Sequence, residues 1–309
     1  MRSTGGLADD SVRVICGPTA AGKSAIAFEL ASRYGGTIVS ADSRQIYRGF
    51  DVGTAKPSSS ERGAVVHEGV DIVSPDERYS ASLWATAAGD WIEAANARGS
   101  VPIVVGGTGF YIRALFDPLF HAPPLDPAAR ASLQNFLERL PTPELRRWCK
   151  HLDAAKSHTG RVQMARAVET ALLSGERLSA LQSRQPARSR FRPHYLVVDP
   201  GPSLGRRIEA RVDAMLDAGW LTEVHALEAA TAPDAPAWKA SGYRVLRSAA
   251  AGDLDLSSAR ERIIIETRQF AKRQRTWFRH QLGEAHVTRL NPDDPDRAAI
   301  IERWWKESA

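Results

Sequence analysis

A chain of 309 residues with 43% hydrophobic and 25% charged side chains has the length and make-up of one large or two moderate folded domains, which excludes a low-complexity or miniature scaffold. Two cysteines, Cys16 and Cys149, exclude a disulfide framework and a four-cysteine metal site; apolar runs such as Val101–Val105 are too short to cross a bilayer, and Met1 to Ser11 lacks a signal peptide's apolar core, so a reducing cytoplasm is expected. The formal net charge of +5 is mild and gains meaning only if the excess collects on one face.

The first predicted strand, Val12 to Cys16, runs into Gly17-Pro18-Thr19-Ala20-Ala21-Gly22-Lys23-Ser24, and a helical pattern begins at Ala25. Strand, glycine-bearing loop and helix in this order are what a phosphate-gripping P-loop requires. Its glycines let backbone amides close on phosphate oxygens, and the helix N-terminus adds partial positive charge. Lys23 supplies a point charge and Ser24 a hydroxyl for Mg²⁺. The plain alternative is a glycine-rich turn that binds nothing.

A second strand, Thr37 to Ser40, leads to Asp42-Ser43-Arg44-Gln45. A carboxylate at the end of that strand faces the P-loop and can take a proton from an incoming nucleophile, or it can simply cap a helix. Strands are expected at Val70 to Val73 and Val101 to Val105, the latter ending in Gly106-Gly107-Thr108-Gly109, where many nucleotide hydrolases carry an acid for Mg²⁺. Paired glycines there permit close backbone approach and Thr108 offers a hydroxyl to a second substrate, unless the segment is only a tight strand-to-helix turn.

From Asp117 to Pro193 the strands stop and proline-bounded helical segments take over, which marks an inserted helical subdomain. A strand at Tyr195 to Val198, a helix carrying Leu204, Ile208, Val212 and Met215, another from Leu221 and a long one from about Ser257 complete the core. The expected fold is α/β: a P-loop NTPase-like parallel sheet flanked by helices, with core segments 1–117 and 194–309, an insert over 118–193 and a basic helix over 257–280.

On that helix Arg268, Lys272, Arg275 and Arg279 share a face, with Phe270 and Trp277 roughly opposite. Aligned cations without interleaved acids repel one another and suit a polyanion, although a solvated basic face is the common alternative. Arg206, Arg207 and Arg211, with Arg161 and Arg166 in the insert, add positive charge, whereas His158, His225 and His280 are too scattered for a metal site. A P-loop small-molecule kinase using ATP and an idle RNA-binding protein are the competing classes. The first leaves the basic helix unexplained and the second leaves Lys23, Ser24, Asp42 and Thr108 without a purpose.

Further segments are Asp51-Val52-Gly53-Thr54-Ala55-Lys56-Pro57, Tyr79-Ser80-Ala81, Arg166-Ala167-Val168-Glu169, Ser241-Gly242-Tyr243-Arg244, and the block from Thr267-Arg268-Gln269 to Trp277-Phe278-Arg279. With the P-loop, the Asp42 segment and the Gly106 turn, they resemble the tRNA dimethylallyltransferases over nearly the whole chain.

The resemblance implies transfer of a dimethylallyl group from dimethylallyl diphosphate to the exocyclic N6 amine of adenosine 37, beside the anticodon. The P-loop would hold a departing diphosphate with Mg²⁺ as cofactor. Lys23 and Arg211 would stabilise its charge, Asp42 would act as general base, and Thr108 would line the channel between the substrates. It places tRNA contacts at Asp42, Ser43, Arg44, Gln45, Thr108 and Arg130, at Val162, Gln163, Met164, Ala165 and Arg166, and at Lys239, Ala240, Ser241, Gly242, Tyr243 and Arg244. A last group is Lys272, Arg273, Gln274, Arg275, Thr276, Trp277, Phe278 and Arg279, with the insert closing on the anticodon stem-loop. The target base must leave its stack, which costs a few kcal/mol. His67-Glu68 stands where the family pairs histidines, and Gln163 where a second arginine is common. No zinc-finger cysteines follow, as in the short bacterial form, and a monomer is expected.

Overall fold

The computed structural model describes residues 11–117, 125–184, 189, 191–282 and 286–307. Six strands, β1 (Ser11–Cys16), β2 (Gly36–Ser40), β3 (His67–Glu68), β4 (Val101–Gly106), β5 (Arg192–Val198) and β6 (Val287–Leu290), form one sheet in the order β3-β2-β4-β1-β5-β6. Every neighbouring pair is parallel.

In chain order the helices are α1 (Lys23–Tyr34), α2 (Ser59–Ala64), α3 (Ala81–Ala97), α4 (Gly109–Phe116), α5 (Pro127–Arg139), α6 (Thr142–Leu152), α7 (Arg161–Ser174), α8 (Leu178–Ser183), α9 (Leu204–Asp217), α10 (Trp220–Glu228), α11 (Tyr243–Ala250), α12 (Leu256–Gln281) and α13 (Arg297–Glu307). The chain divides into two compact units, one of Met1–Phe116 with Ser189–Ala309 and one of Asp117–Arg188. The expected insert end at residue 193 moves back, because the strand that resumes the core already begins at Arg192.

Strands covered on both faces read as near-continuous apolar runs, and the central strands do so here. Ile15, Ile38, Ile103, Val105, Leu196, Val198 and Leu290 form one buried cluster with Ala27, Leu30 and Ala31 of α1 and Trp304 and Trp305 of α13. On α3, Trp84 is fully buried, stacks on Tyr111 of α4 and donates its indole N–H to the Ser40 carbonyl at 2.9 Å.

Two sequence expectations change. The segment Val70 to Val73 makes only a single bridge, from Val73 to Tyr47, and the third strand is His67–Glu68 instead. Left-handed Gly69 and Asp71, with φ of 79° and 58°, interrupt extension there. The edge strand Val287–Leu290 was not anticipated, since four residues carry too little alternation to be distinctive.

Register assembles the site. Cys16 pairs with Gly106 on one side and Val197 on the other, while Ser40 pairs with Val105. The P-loop, the Asp42 segment and the Gly106 turn therefore leave adjacent strands at the same, carboxyl, edge, where open α/β sheets bind ligands.

The second unit has its own small core of Leu137, Leu145, Cys149, Met164, Ala167, Val168 and Leu178. Arg161 ties it at one end, donating to Thr142 Oγ1 at 2.8 Å and to the carbonyls of Leu137, Glu138 and Leu140 at 2.9, 3.0 and 2.6 Å. Those carbonyls close α5, so Arg161 is a C-cap instead of free surface charge.

Candidate active site

Thr19, Lys23, Ser24, Asp42, Gln45, Gly106, Gly107, Arg211 and Gln274 line one pocket above the sheet edge. Within the P-loop, Ala20 and Gly22 have left-handed φ of 61° and 93°. Such alternation turns successive amides inward and makes an anion-binding concavity. Lys23 folds over the loop and donates to the Pro18 carbonyl at 2.7 Å. Burial first, and then the Arg211 guanidinium, lower its pKa to about 8, against the raising influence of Asp42 and Cys16. Arg211 is lowered too by burial, with Asp42 opposing. Two cations and one carboxylate thus converge on this pocket. Cys16 beneath them is buried and pushed up to about 12, which makes it an unreactive thiol.

Asp42 caps no helix: it lies in a turn, where its Oδ1 accepts from the Arg44 amide at 2.9 Å. Thr108 Oγ1 accepts from the Ser43 amide at 3.1 Å, and its own amide donates to the Ala41 carbonyl at 3.2 Å. The Asp42 turn and the Thr108 turn are therefore stitched together. Gln45 is committed inside the protein: its Oε1 accepts from Ser40 Oγ at 2.9 Å, and its Nε2 donates to the carbonyls of Thr54 and Ala55 at 3.2 and 3.0 Å.

The Asp51–Pro57 segment, whose Ala55 to Pro57 line the pocket, is held by the half-buried Glu223 and by the buried ammonium of Lys56. The Glu223 carboxylate accepts from the amides of Asp51, Val52 and Gly53 at 2.9, 2.7 and 3.4 Å. The Lys56 ammonium, almost fully buried, reaches the Tyr47 carbonyl, Asp51 Oδ1 and Asp71 Oδ1. Ala55, Lys56 and Pro57 then face the pocket beside His67. Burial lowers the pKa of His67, the histidine that is kept beside Glu68.

The basic helix needs correction. Its inward stripe is Ile263, Ile264, Ala271, Gln274 and Phe278, and Trp277 is half-buried. Arg268 pairs with Glu209, and Arg275 with Asp199 and the Gly201 carbonyl, so acids from α9 and the end of β5 meet two of the four aligned cations. Arg207 likewise pairs with Asp293. Lys272, Arg273, Thr276 and Arg279 remain on the exposed side. Single-helix periodicity could not reveal acids that are distant in sequence.

Among the other expected tRNA contacts, Met164, Ala240, Tyr243, Gln274 and Phe278 have buried side chains and offer no surface to RNA. Gly242 is buried too, pressed against Trp220. Lys239 and Arg244 are exposed beside the half-buried Ser241, whose hydroxyl meets Thr267 Oγ1 at 3.3 Å. In the second unit, Val162, Gln163 and Arg166 are exposed and Ala165 half-buried along the start of α7, and Arg130 pairs with Glu169 at 2.8 Å.

Among the described residues no group of three or more His, Cys, Asp or Glu side chains could hold a metal, and no helix is long and apolar enough to cross a membrane.

The IPP transferase family model matches residues 45–281 and the isopentenyl transferase model residues 10–66. A tRNA dimethylallyltransferase of Anaeromyxobacter dehalogenans strain 2CP-1 is 41% identical over 279 residues, covering 89% of this chain and 92% of its own. Another, of Ralstonia pickettii strain 12J, is 39% identical over 313 residues, 96% of either chain. Among solved structures, a tRNA isopentenylpyrophosphate transferase of Staphylococcus epidermidis aligns with a TM-score of 0.68 and 29% identity over 96% of this chain and 98% of that one. A eukaryotic dimethylallyltransferase described as acting on tRNA aligns with a TM-score of 0.73 and 26% identity over 87% and 69%.

Proposed function

The chain belongs to the IPP transferase family, and from that premise we propose that it transfers a dimethylallyl group from dimethylallyl diphosphate to the N6 amine of adenosine 37 in tRNA, in the cytoplasm. The observation that carries the reading is the convergence of Lys23, Arg211 and Asp42 on one pocket lined also by the P-loop and by Gly106 and Gly107.

In this reading the P-loop amides, Lys23 and Arg211 hold the diphosphate and take up the charge that develops as its C–O bond breaks. The adenine nitrogen attacks the allylic carbon and its proton passes to the Asp42 carboxylate, while Thr108 lines the passage between the two substrates. Ser24 opens α1 within the pocket, and Asp42 lines it too. The Ser24 hydroxyl would hold Mg²⁺ together with the substrate phosphates, and the ion would help to neutralise the leaving group, which leaves the Asp42 carboxylate free to act as base. On the core unit the exposed Lys239, Arg244, Lys272, Arg273, Thr276 and Arg279 are the positions offered to RNA; the second unit, taken by itself, offers Val162, Gln163 and Arg166.

A kinase reading is not favoured, since the relatives are named dimethylallyltransferases. Purified protein, Mg²⁺, labelled dimethylallyl diphosphate and unmodified tRNA with adenosine 37 make the test. Label at that adenosine, lost when it is replaced by guanosine, supports the reading, and label absent from RNA overturns it.

A further inference from the structure

Gln274 stands on the inward face of α12 with 7% of its surface exposed. Its Oε1 accepts from the Thr19 amide of the P-loop at 2.8 Å, and its Nε2 donates to the Gly107 carbonyl at 2.9 Å. The fit is close: a Cβ on Gly107 would lie 2.4 Å from Nε2. One turn onward Trp277 covers Gly109, where a Cβ would lie 2.2 Å from the indole. Thr108 is thus held between two glycines that α12 overlies.

A buried amide is costly unless both of its ends are bonded, and a leucine would fill the same space without that demand. What the amide adds is a set distance between two backbones, each bonded to one end of a planar group. One of these belongs to the loop that grips phosphate and the other to the turn that presents Thr108. We propose that Gln274 is a positioning residue that sets the separation between the diphosphate-holding loop and the acceptor-side turn, acting through its bonds to Thr19 and Gly107 at the wall of the pocket. The inference rests on the function proposed above, and it moves Gln274 from the RNA surface to the interior of the reaction site.

The test compares wild type, Gln274→Leu and Gln274→Glu in the transfer assay, together with tRNA affinity and melting temperature. Gln274→Leu keeps the volume and removes both bonds: kcat at saturating substrates falls at least tenfold while the tRNA Kd stays within twofold. Gln274→Glu keeps the acceptor for Thr19 but, when ionised, has no donor for Gly107; protonated, it regains one. Its activity relative to wild type therefore rises several-fold from pH 8 to pH 6. An introduced carboxylate shares the pocket with Lys23 and Arg211, so the same ratio for Gln274→Leu, which adds no ionisable group, serves as the reference and stays flat. An unchanged kcat in Gln274→Leu overturns the proposal, and so does a flat Gln274→Glu ratio where the leucine variant fails to fold. Wild type that transfers label beside an unaffected Gln274→Leu refutes this role alone; wild type that transfers none refutes the function and the role together.

Discussion

The Tyr243 hydroxyl donates to Glu223 Oε1 at 2.6 Å, inside a cluster where the same carboxylate also accepts three backbone amides of the Asp51–Gly53 loop. Burial, and then Glu223 itself, push the Tyr243 hydroxyl well above the usual phenol range, so it stays a donor at any physiological pH. Phe50 and Trp238 pack around the ring, and Trp220 fills the space that a side chain at Gly53 or Gly242 would need. The wall of the pocket formed by Ala55 to Pro57 therefore depends on a carboxylate far away in sequence.

Glu223→Ala should strip three amides and one hydroxyl of their acceptor at once. Hydrogen bonds to charged groups contribute about 1.5–3 kcal/mol, and unsatisfied donors add their own desolvation cost. A loss of about 3 kcal/mol or more in chemical denaturation is expected, with Tyr243→Phe costing about 1–2 kcal/mol because it removes a single donor. Equal midpoints for Glu223→Ala and wild type would show that the loop is held by other contacts.

In the proposed reaction Asp42 takes the proton of the attacking amine, and its Oδ1 accepts from the Arg44 amide at 2.9 Å. Asp42→Asn keeps an acceptor for that bond and discards the base. Turnover should fall by about 10²–10⁴, the usual contribution of a general base, with tRNA affinity within twofold of wild type. Single-turnover rates measured beside filter binding separate the two quantities, and a rate within threefold of wild type would remove Asp42 from the proton's path.

Much of this site is written in contiguous sequence. The P-loop, the Asp42 turn and the Gly106 turn each follow a β-branched run, and parallel register brings the three ends together. What was not legible depends on partners remote in the chain. Gln274 sits among arginines and has the look of surface until Thr19 and Gly107 are seen beside it. Arg268 and Arg275 read as free cations until Glu209 and Asp199 meet them. The Asp51–Pro57 motif was visible as a motif, but its reason lay in Glu223 and Asp71. Periodicity reports which face a residue takes on its own helix, and stays silent on what the fold sets against that face.

Because Arg268 and Arg275 are already paired, the row of four cations should not neutralise four phosphates. Lys272→Ala and Arg279→Ala, both on exposed positions, should each reduce the slope of log K against log salt by about 0.7–0.9 for each phosphate left without its cation. Arg275→Ala should instead loosen the anchor of α12 on Asp199 and Gly201, lowering melting temperature with a smaller change in salt slope. A slope that falls as much for Arg275→Ala as for Lys272→Ala, at equal stability, would restore the four-cation surface.

Lys23 makes the site sensitive to alkaline pH. Its folded pKa of about 8 lies below the ordinary 10.5, so between those values the folded protein binds fewer protons than the unfolded chain. By linkage this group's share of stability rises with pH across that window and is flat below it. Substrate binding has the opposite sign. A diphosphate favours the ammonium form, so above pH 8 the free enzyme must first take up a proton, and affinity drops by up to about tenfold for each pH unit. KM for dimethylallyl diphosphate should hold steady from pH 6.5 to 8 and climb from 8 to 9.5, where the urea midpoint moves upward. In Lys23→Met both trends should disappear, with KM uniformly high. A wild-type KM that stays level through pH 9.5 would mean that the amine keeps its proton throughout, despite its burial and the nearby Arg211 charge.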